Sequence, residues 1–209
     1  ARLMQTVIEK NGWSSMPLTP INKPGGSGAE ALVHLKNRAK SDPNHTIMVT
    51  LNSFYTTPMR QPGLGIDIST FTPVARMAED TFLLWVHKDS GITDVNQFVR
   101  AAKSKGSDWI MAGTGKLQED QLLTDFLNAA YGLSMKYVPY KGGGKVAKQL
   151  AGKHANSTVN NPSEQEGFYK AGTTVALAAF TDNRLEMFPN APTFKELGKD
   201  YVYYMQRSI

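Results

Sequence analysis

The chain has 209 residues, of which 41% are hydrophobic, a composition typical of a folded protein with a sizeable core. Lys and Arg number 23 against 18 Asp and Glu, so the net charge is +5, without any block of like charge. This balance disfavours a dedicated nucleic-acid binder and suits small anionic ligands. The absence of cysteine excludes disulfides, cysteine nucleophiles and zinc–thiolate sites. Residues 1–5 show no apolar signal segment, so we expect either a cytosolic protein or a sequence given without its export segment.

The first half of the chain alternates between helical and extended patterns. Apolar residues Leu3, Met4, Val7 and Ile8 recur at helical spacing and predict a helix over Arg2–Lys10. The further predicted elements are an irregular strand at 16–21, a loop at 22–28, a helix at Ala29–Ala39, a buried strand at 46–51, a polar connection at 52–72, and extended segments at 71–77 and 81–87.

The second half repeats the alternation more regularly. Val95, Phe98, Val99 and Ala102 form one face of an amphipathic helix at 93–105. The elements predicted after it are a strand at 108–112, a turn at 113–115, a helix at 117–131, a strand at 136–138, a helix at 145–151, a strand at Ser157–Asn160, a helix at 162–169, a strand at 174–180 and a short helix at 193–197.

Strands separated by helices predict parallel α/β layers. In such sheets a ligand lies at the carboxyl ends of the strands, against helix N-termini. The pattern therefore indicates three candidate loops, which follow Leu51, Ala112 and Val159.

The loop after Ala112 spans residues 113–118. Its glycines allow close approach of the backbone to a ligand, the N–H groups at the helix start attract anions, and Lys116 adds a positive charge. The spacing does not match a Walker loop or Gly-x-Gly-x-x-Gly, because residue 118 is glutamine. We favour carboxylate binding over the alternative, a tight turn in which Glu119 and Asp120 meet the helix dipole.

The other two loops leave alternatives open. Residues Asn52 to Thr57 offer amide, hydroxyl and aromatic groups, but they also fit an ordinary polar turn. In 160–164, Pro162 suits the first helical turn and Asn161 suits an N-cap, so pure helix capping competes with ligand contact.

Signs of catalysis are weak. None of the four histidines has the spacing of a metal site, and no Gly-x-Ser-x-Gly elbow occurs. The adjacent carboxylates Glu79 and Asp80 suit a turn. The alternatives to a binding protein are a small transferase or lyase acting on carboxylates through Lys116 or Lys141, and a non-binding interaction module.

Six stretches together resemble the periplasmic substrate-binding receptors of tripartite tricarboxylate transporters. They occur in the order NKPGGSG (22–28), TPVAR (72–76), GTGKLQEDQ (113–121), VPYKGGG (138–144), VNNP (159–162) and APTFKE (191–196). The resemblance implies an α/β, two-lobed, type II-like Venus-flytrap fold that captures small organic acids between its lobes. It implies no catalysis and no cofactor.

The resemblance also implies an organisation and partners. Lobe one is expected at 1–90, lobe two at 91–182 and a return segment toward lobe one at 183–209. Compared with the family, lobe one is expected to be incomplete at both ends. The implied receptor is a periplasmic monomer without membrane insertion or nucleic-acid binding. It would deliver a di- or tricarboxylate or an aromatic carboxylate to membrane transporter components.

The predicted ligand contacts follow from the loops and the resemblance together. They comprise Asn52, Ser53, Phe54 and Tyr55 in lobe one and Thr114, Gly115, Lys116, Gln118, Asn160, Asn161 and Ser163 in lobe two. Arg207 is added because the return segment lines the cleft in related receptors, where an arginine could grip a carboxylate with two hydrogen bonds. The alternative is a surface arginine at a frayed end.

Overall fold

The computed structural model describes residues 1–209, and the chain divides into two compact units. The first unit comprises Ala1–Ala78 and Arg207–Ile209, and the second comprises Glu79–Gln206. This division differs from the expected ranges 1–90, 91–182 and 183–209. Residues 79–90 belong to the second unit because the strand Leu83–His87 pairs on both sides within that unit's sheet. Residues 183–206 belong to it because Phe188 and Ala191 pack in its core. That the two units are the expected lobes stays a prediction.

The first unit is built mainly from helices, namely α1 (Arg2–Lys10), α2 (Ala29–Ala39) and α3 (Ser53–Arg60). The predicted bounds of α1 and α2 are confirmed. The segment expected to be a polar connection instead contains α3. This helix continues past Pro58, and the backbone N–H of Gln61 donates to the carbonyl of Thr57 at 2.9 Å.

The predicted buried strand at 46–51 is wrong. Its one ladder contact is an isolated bridge between Thr50 and Ser208, and Ile47 and Val49 are 59% and 44% exposed. An apolar, β-rich run becomes a strand only when neighbouring strands and a covering layer are available. The expected irregular strand at 16–21 is likewise not a strand.

The second unit contains a five-stranded sheet in the order β4–β3–β5–β2–β6. The strands, in chain order, are β1 (Arg76–Asp80), β2 (Leu83–His87), β3 (Ile110–Thr114), β4 (Lys136–Tyr140), β5 (Ser157–Asn160), β6 (Thr174–Ala179) and β7 (Met205–Ser208). Strands β1 and β7 pair separately in a two-stranded sheet. The helices are α4 (Val95–Lys105), α5 (Glu119–Tyr131), α6 (Gly143–Ala151) and α7 (Pro162–Lys170). No helix in the chain has the length and apolar character needed to cross a membrane.

The expected parallel arrangement holds for four of the five strands. Strand β3 is parallel to β4 and β5, whereas β2 is antiparallel to both β5 and β6. The carboxyl ends of β3, β4, β5 and β6 therefore lie at one edge of the sheet, together with the amino end of β2. This edge is called the carboxyl edge below.

The core of the second unit centres on β2. Leu83 and Trp85 pack with Leu150, Ala179 and Phe188, and all five are buried. Residues 83–86 are buried on both faces of the sheet, so this antiparallel strand is as continuously apolar as a strand of a parallel sheet. This packing anchors β2 within the sheet whose carboxyl edge carries the candidate loops of this unit.

Two local differences from the predicted elements matter near the candidate loops. Strand β3 extends through Gly113 and Thr114, and α5 begins at Glu119, so Gln118 is its N-cap residue. The short helix expected at 193–197 is a turn. The Thr193 N–H donates to Glu196 and the Glu196 N–H donates to the Thr193 hydroxyl, a reciprocal pair that resembles a helix-capping box without a following helix.

Candidate functional site

Three strand-to-helix connections meet at the carboxyl edge, between β3 and α5, between β4 and α6, and between β5 and α7. Each helix begins there, and a helix N-terminus carries unpaired N–H groups and a partial positive charge. The predicted contacts of the second unit all belong to the first or the third connection, namely Thr114, Gly115, Lys116, Gln118, Asn160, Asn161 and Ser163.

The 113–118 loop is held by the protein's own side chains. The Thr114 N–H donates to Asp120 Oδ2 at 2.7 Å, and the Leu117 N–H donates to Gln121 Oε1 at 2.7 Å. The Tyr137 hydroxyl lies 2.9 Å from the carbonyl oxygens of Thr114 and Gly115. Asp120 and Gln121 therefore already bind two of the loop amides, and the predicted binding of a carboxylate by the N–H groups at the helix start stays a prediction. The first-turn amides of α5 remain the anion-binding candidates.

The loop backbone is also unusual in conformation. Gly115 has φ of 58° and Leu117 has φ of 57°, both in the left-handed region. Glycine adopts this region without a steric penalty, but leucine rarely does. Strained non-glycine residues persist where the surrounding hydrogen bonds over-determine them, and they cluster at binding sites.

Asp120 is a buried carboxyl group beneath this loop. It is 2% exposed, and burial, followed by repulsion from Glu164 and Glu119, raises its pKa to about 7. Hydrogen bonds from Thr114 act in the opposite direction. Asp120 is therefore divided between its neutral and charged forms near neutral pH. These acidic residues do not form a group suited to holding a metal ion.

The connection between β4 and α6 is filled by an internal carboxyl group. A Cβ added at Gly143 would lie 1.8–1.9 Å from the Glu164 carboxyl group, so this carboxyl group lies against the amino end of α6. Asn160 donates to Glu164 Oε2 at 2.7 Å and accepts from Thr158 at 2.6 Å and from Gln165 at 3.2 Å. The buried side chain of Asn160 is thus part of an internal hydrogen-bond network, and its role as a ligand contact stays a prediction.

The start of α7 combines a buried and an exposed residue. Asn161 occupies the N-cap position, as predicted, but its side chain makes no capping bond and donates instead to the Thr81 carbonyl at 2.7 Å. Ser163, in the first turn, is exposed, as is Lys116. Gln118 is buried. The exposed polar groups of the carboxyl edge therefore include Lys116 and Ser163.

In the first unit, the predicted contacts after Leu51 lie at the start of a helix and not in a loop. Asn52 is the N-cap residue of α3, and Ser53, Phe54 and Tyr55 form its first turn. Ser53 is buried, whereas Tyr55 is among the exposed residues.

Contacts inside the first unit hold that turn in place. A Cβ added at Gly28 would lie 3.2 Å from Ser53 Oγ, and the ring of Phe54 packs edge-on against Phe71 with centroids 5.7 Å apart. Arg207 lies in β7, next to Ser208, whose bridge to Thr50 joins it to the segment that leads into α3.

Sequence reasoning missed the residues that shape the carboxyl edge from within: Tyr137, Gln121, Gly143 and the carboxyl group of Glu164 as an internal ligand. It assigned Asp120 only to the helix dipole. The one signal available in the sequence was an aspartate in the first helical turn after a Gly-x-Gly segment. Tyr137 carries no such signal, because its contact with the loop depends on the pairing of β3 and β4.

Comparison with known proteins identifies the family. The sequence profile of the tripartite tricarboxylate transporter family receptor matches residues 16–207. The UPF0065 protein in the gbd 5′ region of Cupriavidus necator is 24% identical over 182 residues, which cover 87% of this chain and 55% of that protein.

Solved structures share the fold. Rpa4515 of R. palustris with adipate has a TM-score of 0.83 and 23% identity, with 99% of this chain and 69% of that chain covered. MatC (Rpa3494) of Rhodopseudomonas palustris with bound malate has a TM-score of 0.83 and 21% identity, with 100% and 70% covered.

These findings confirm the predicted family and the predicted fold class, an α/β periplasmic binding protein. The family is one of receptors and not of enzymes. The chain spans about half the length of the curated relative described above, 55%. It belongs to the tripartite tricarboxylate transporter receptor family, whose members are periplasmic binding proteins.

Proposed function

We propose that the chain is part of a periplasmic receptor for a small organic acid and that the carboxyl edge of the second unit contacts a carboxylate of that acid. The observation that carries this proposal is the convergence of three helix N-termini at one edge of the sheet. Helix N-termini attract anions through their N–H groups and dipoles. The solved relatives with adipate and malate support a dicarboxylate ligand.

The position of the Glu164 carboxyl group narrows the choice of helix N-terminus for the ligand. Glu164 already lies against the amino end of α6, so a second carboxylate there would meet its repulsion. The amino ends of α5 and α7 are therefore the proposed contacts, with Thr114, Gly115, Lys116 and Gln118 at the first and Asn161 and Ser163 at the second. In the first unit, Asn52, Ser53, Phe54, Tyr55 and Arg207 are also proposed as ligand contacts.

The remaining parts of the proposal concern the whole receptor. It is a monomer of the periplasm that hands its acid to membrane components of a tripartite tricarboxylate-type transporter. Family membership supports this partner and this compartment.

Calorimetry against malate, adipate and a tricarboxylate tests the proposal, with the uncharged diamide of adipate as the ligand control. We expect saturable binding of acids, no binding of the diamide and no chemical turnover. A folded chain that binds none of the acids, or that converts one of them, would contradict the proposal.

A pair of glycine variants tests whether the 113–118 loop belongs to the acid-binding site. Gly115→Val introduces a branched side chain at φ of 58° in the proposed loop, and Gly172→Val does the same at φ of 67° in the turn after α7. Both variants strain the backbone, but only Gly115→Val is expected to weaken acid binding, by ~1–3 kcal/mol, the scale of an unmade hydrogen bond. Equal affinities in the two folded variants would remove the 113–118 loop from the site.

A further inference from the structure

We propose that Asp120 and Tyr137 are positioning residues that hold residues 114–117 in their acid-binding conformation, and that Asp120 makes acid binding depend on its protonation. This inference rests on the proposed function of the carboxyl edge. Neither residue was among the predicted ligand contacts, and both act on the loop from within the protein.

The hydrogen bonds fix three successive peptide groups, from the peptide between residues 113 and 114 to the peptide between residues 115 and 116. The Thr114 N–H is bound by Asp120 and the Thr114 carbonyl by the Tyr137 hydroxyl. The Gly115 carbonyl is bound by the same hydroxyl, and the Gly115 N–H donates to the carbonyl of Tyr140 at 3.3 Å. With Gln121 holding the Leu117 N–H, little freedom remains for the loop to reorient its outward groups.

Gly113 allows these two side chains to converge. A Cβ at this position would lie 2.5 Å from the Tyr137 hydroxyl oxygen and 2.7 Å from the Asp120 Cβ. Residues from β3, β4 and α5 therefore meet beneath the loop only because residue 113 has no side chain. The close packing of these three elements indicates that they hold the backbone of the loop in one conformation.

The charged and polar groups around Asp120 determine whether an anionic ligand favours its protonated or its charged form. Glu119 on its own helix and Glu164 on α7 both repel a charged Asp120, and Tyr137 from β4 is held neutral because burial raises its pKa. Thr114 supplies hydrogen bonds that favour the charged form. An anionic ligand at the loop adds another negative charge, which favours protonated Asp120, and by reciprocity protonation favours the ligand.

Malate and adipate binding at pH 6 and pH 8 tests this coupling. We expect the affinity of the parent chain to fall about 10-fold from pH 6 to pH 8, since binding takes up about half a proton on average over this range when Asp120 has a pKa of about 7 in the free protein and is protonated in the complex. Asp120→Asn keeps an acceptor for the Thr114 N–H without the charge, so its affinity is expected to vary less than about 2-fold. Asp125→Asn, an exposed change on the same helix, should keep the parental pH dependence.

The positioning role of the hydroxyl is tested by a matched pair of tyrosine variants. Tyr137→Phe removes the donor to two loop carbonyls, whereas the buried Tyr131 hydroxyl has no hydrogen-bond partner. We expect Tyr137→Phe to weaken binding about 5-fold or more with its pH dependence retained, and Tyr131→Phe to bind as the parent does.

The outcomes separate this inference from the proposed function. Acid binding that is independent of pH, or that keeps its pH dependence in Asp120→Asn, overturns the coupling. A folded Tyr137→Phe variant with parental affinity overturns the positioning role. Absence of acid binding at both pH values in the parent chain overturns the proposed function and this inference with it.

Discussion

The two units each contain an apolar, β-rich segment, but the segment is buried in one unit and partly exposed in the other. In the second unit, β2 (Leu83–His87) lies between β5 and β6, and its residues 83–86 are fully buried. In the first unit, the equally β-rich run at 46–51 has a single bridge and exposes Ile47 and Val49. Burial in the first unit is confined to a few side chains: Ala29, Leu32, Ser53 and Thr57. The same β-rich pattern is thus buried in β2, which has a partner strand on each side, and partly exposed at 46–51, which has only an isolated bridge.

The largest expected difference is between two tryptophans. Trp85 is fully buried, packs edge-on against Phe188 with centroids 5.2 Å apart, and donates to the Asn160 carbonyl. Trp85→Ala should lower the free energy of unfolding of the second unit by ~3–5 kcal/mol. Trp13 lies in the first unit and is 71% exposed, so Trp13→Ala should change the free energy of unfolding of that unit by less than ~0.5 kcal/mol. Urea unfolding followed by circular dichroism measures both, and similar losses would contradict the comparison.

The next effect is a pH dependence of stability that arises in the second unit. Because the pKa of Asp120 rises from 3.8 to about 7 on folding, the native state binds its proton more readily than the unfolded state. Stability from this residue is therefore present at low pH and is lost as the pH rises from about 4 to 7, by up to roughly 4 kcal/mol.

Asp120→Asn lacks this titration, so the difference in unfolding free energy between parent and variant isolates it. The fluorescence of the buried Trp85 and Trp109 reports the unfolding of the second unit. We expect the variant to gain stability relative to the parent between pH 4 and pH 8. A difference that stays constant over this range would show that Asp120 does not titrate differently in the folded state.

A smaller effect distinguishes two adjacent glycines at the carboxyl edge. A Cβ at Gly143 would overlap the Glu164 carboxyl group, whereas a Cβ at Gly144 would meet nothing within 4 Å. Gly143→Ala should cost ~1–3 kcal/mol because the side chain of Glu164 must move. Gly144→Ala should stabilise α6 by ~0.5–1 kcal/mol, the usual gain in a helix. If thermal unfolding ranks the two variants equally, the close contact of Glu164 is not a constraint.

Much of this architecture could be predicted from the sequence. The bounds of α1, α2 and β5 agree with the predictions, because local periodicity and stop signals define them. The connections after β3 and β5 were identified as candidates from strand–helix alternation alone. The reversed direction of β2 could not be predicted, because its apolar sequence suits either direction.

The inner face of the candidate site was also beyond sequence reasoning. A buried carboxyl group such as Asp120 and an exposed one have the same sequence signature. Asp120 and Gln121 accept hydrogen bonds from the Thr114 and Leu117 amides, and these bonds depend on the directions of the two side chains, which the sequence does not give. The need for glycine at position 143 arises from Glu164, which lies 21 residues away along the chain.

The most direct test of the central claim is a titration of the isotope-labelled chain with malate, followed by the amide resonances of the carboxyl edge. The account predicts saturable shifts for residues 114–121 and for Ser163, with the amides of Gly172 and Gly198 unmoved. The same titration with the diamide of adipate should move none of them. Saturable malate binding that leaves residues 114–121 and Ser163 unshifted would contradict the claim that this edge contacts the carboxylate.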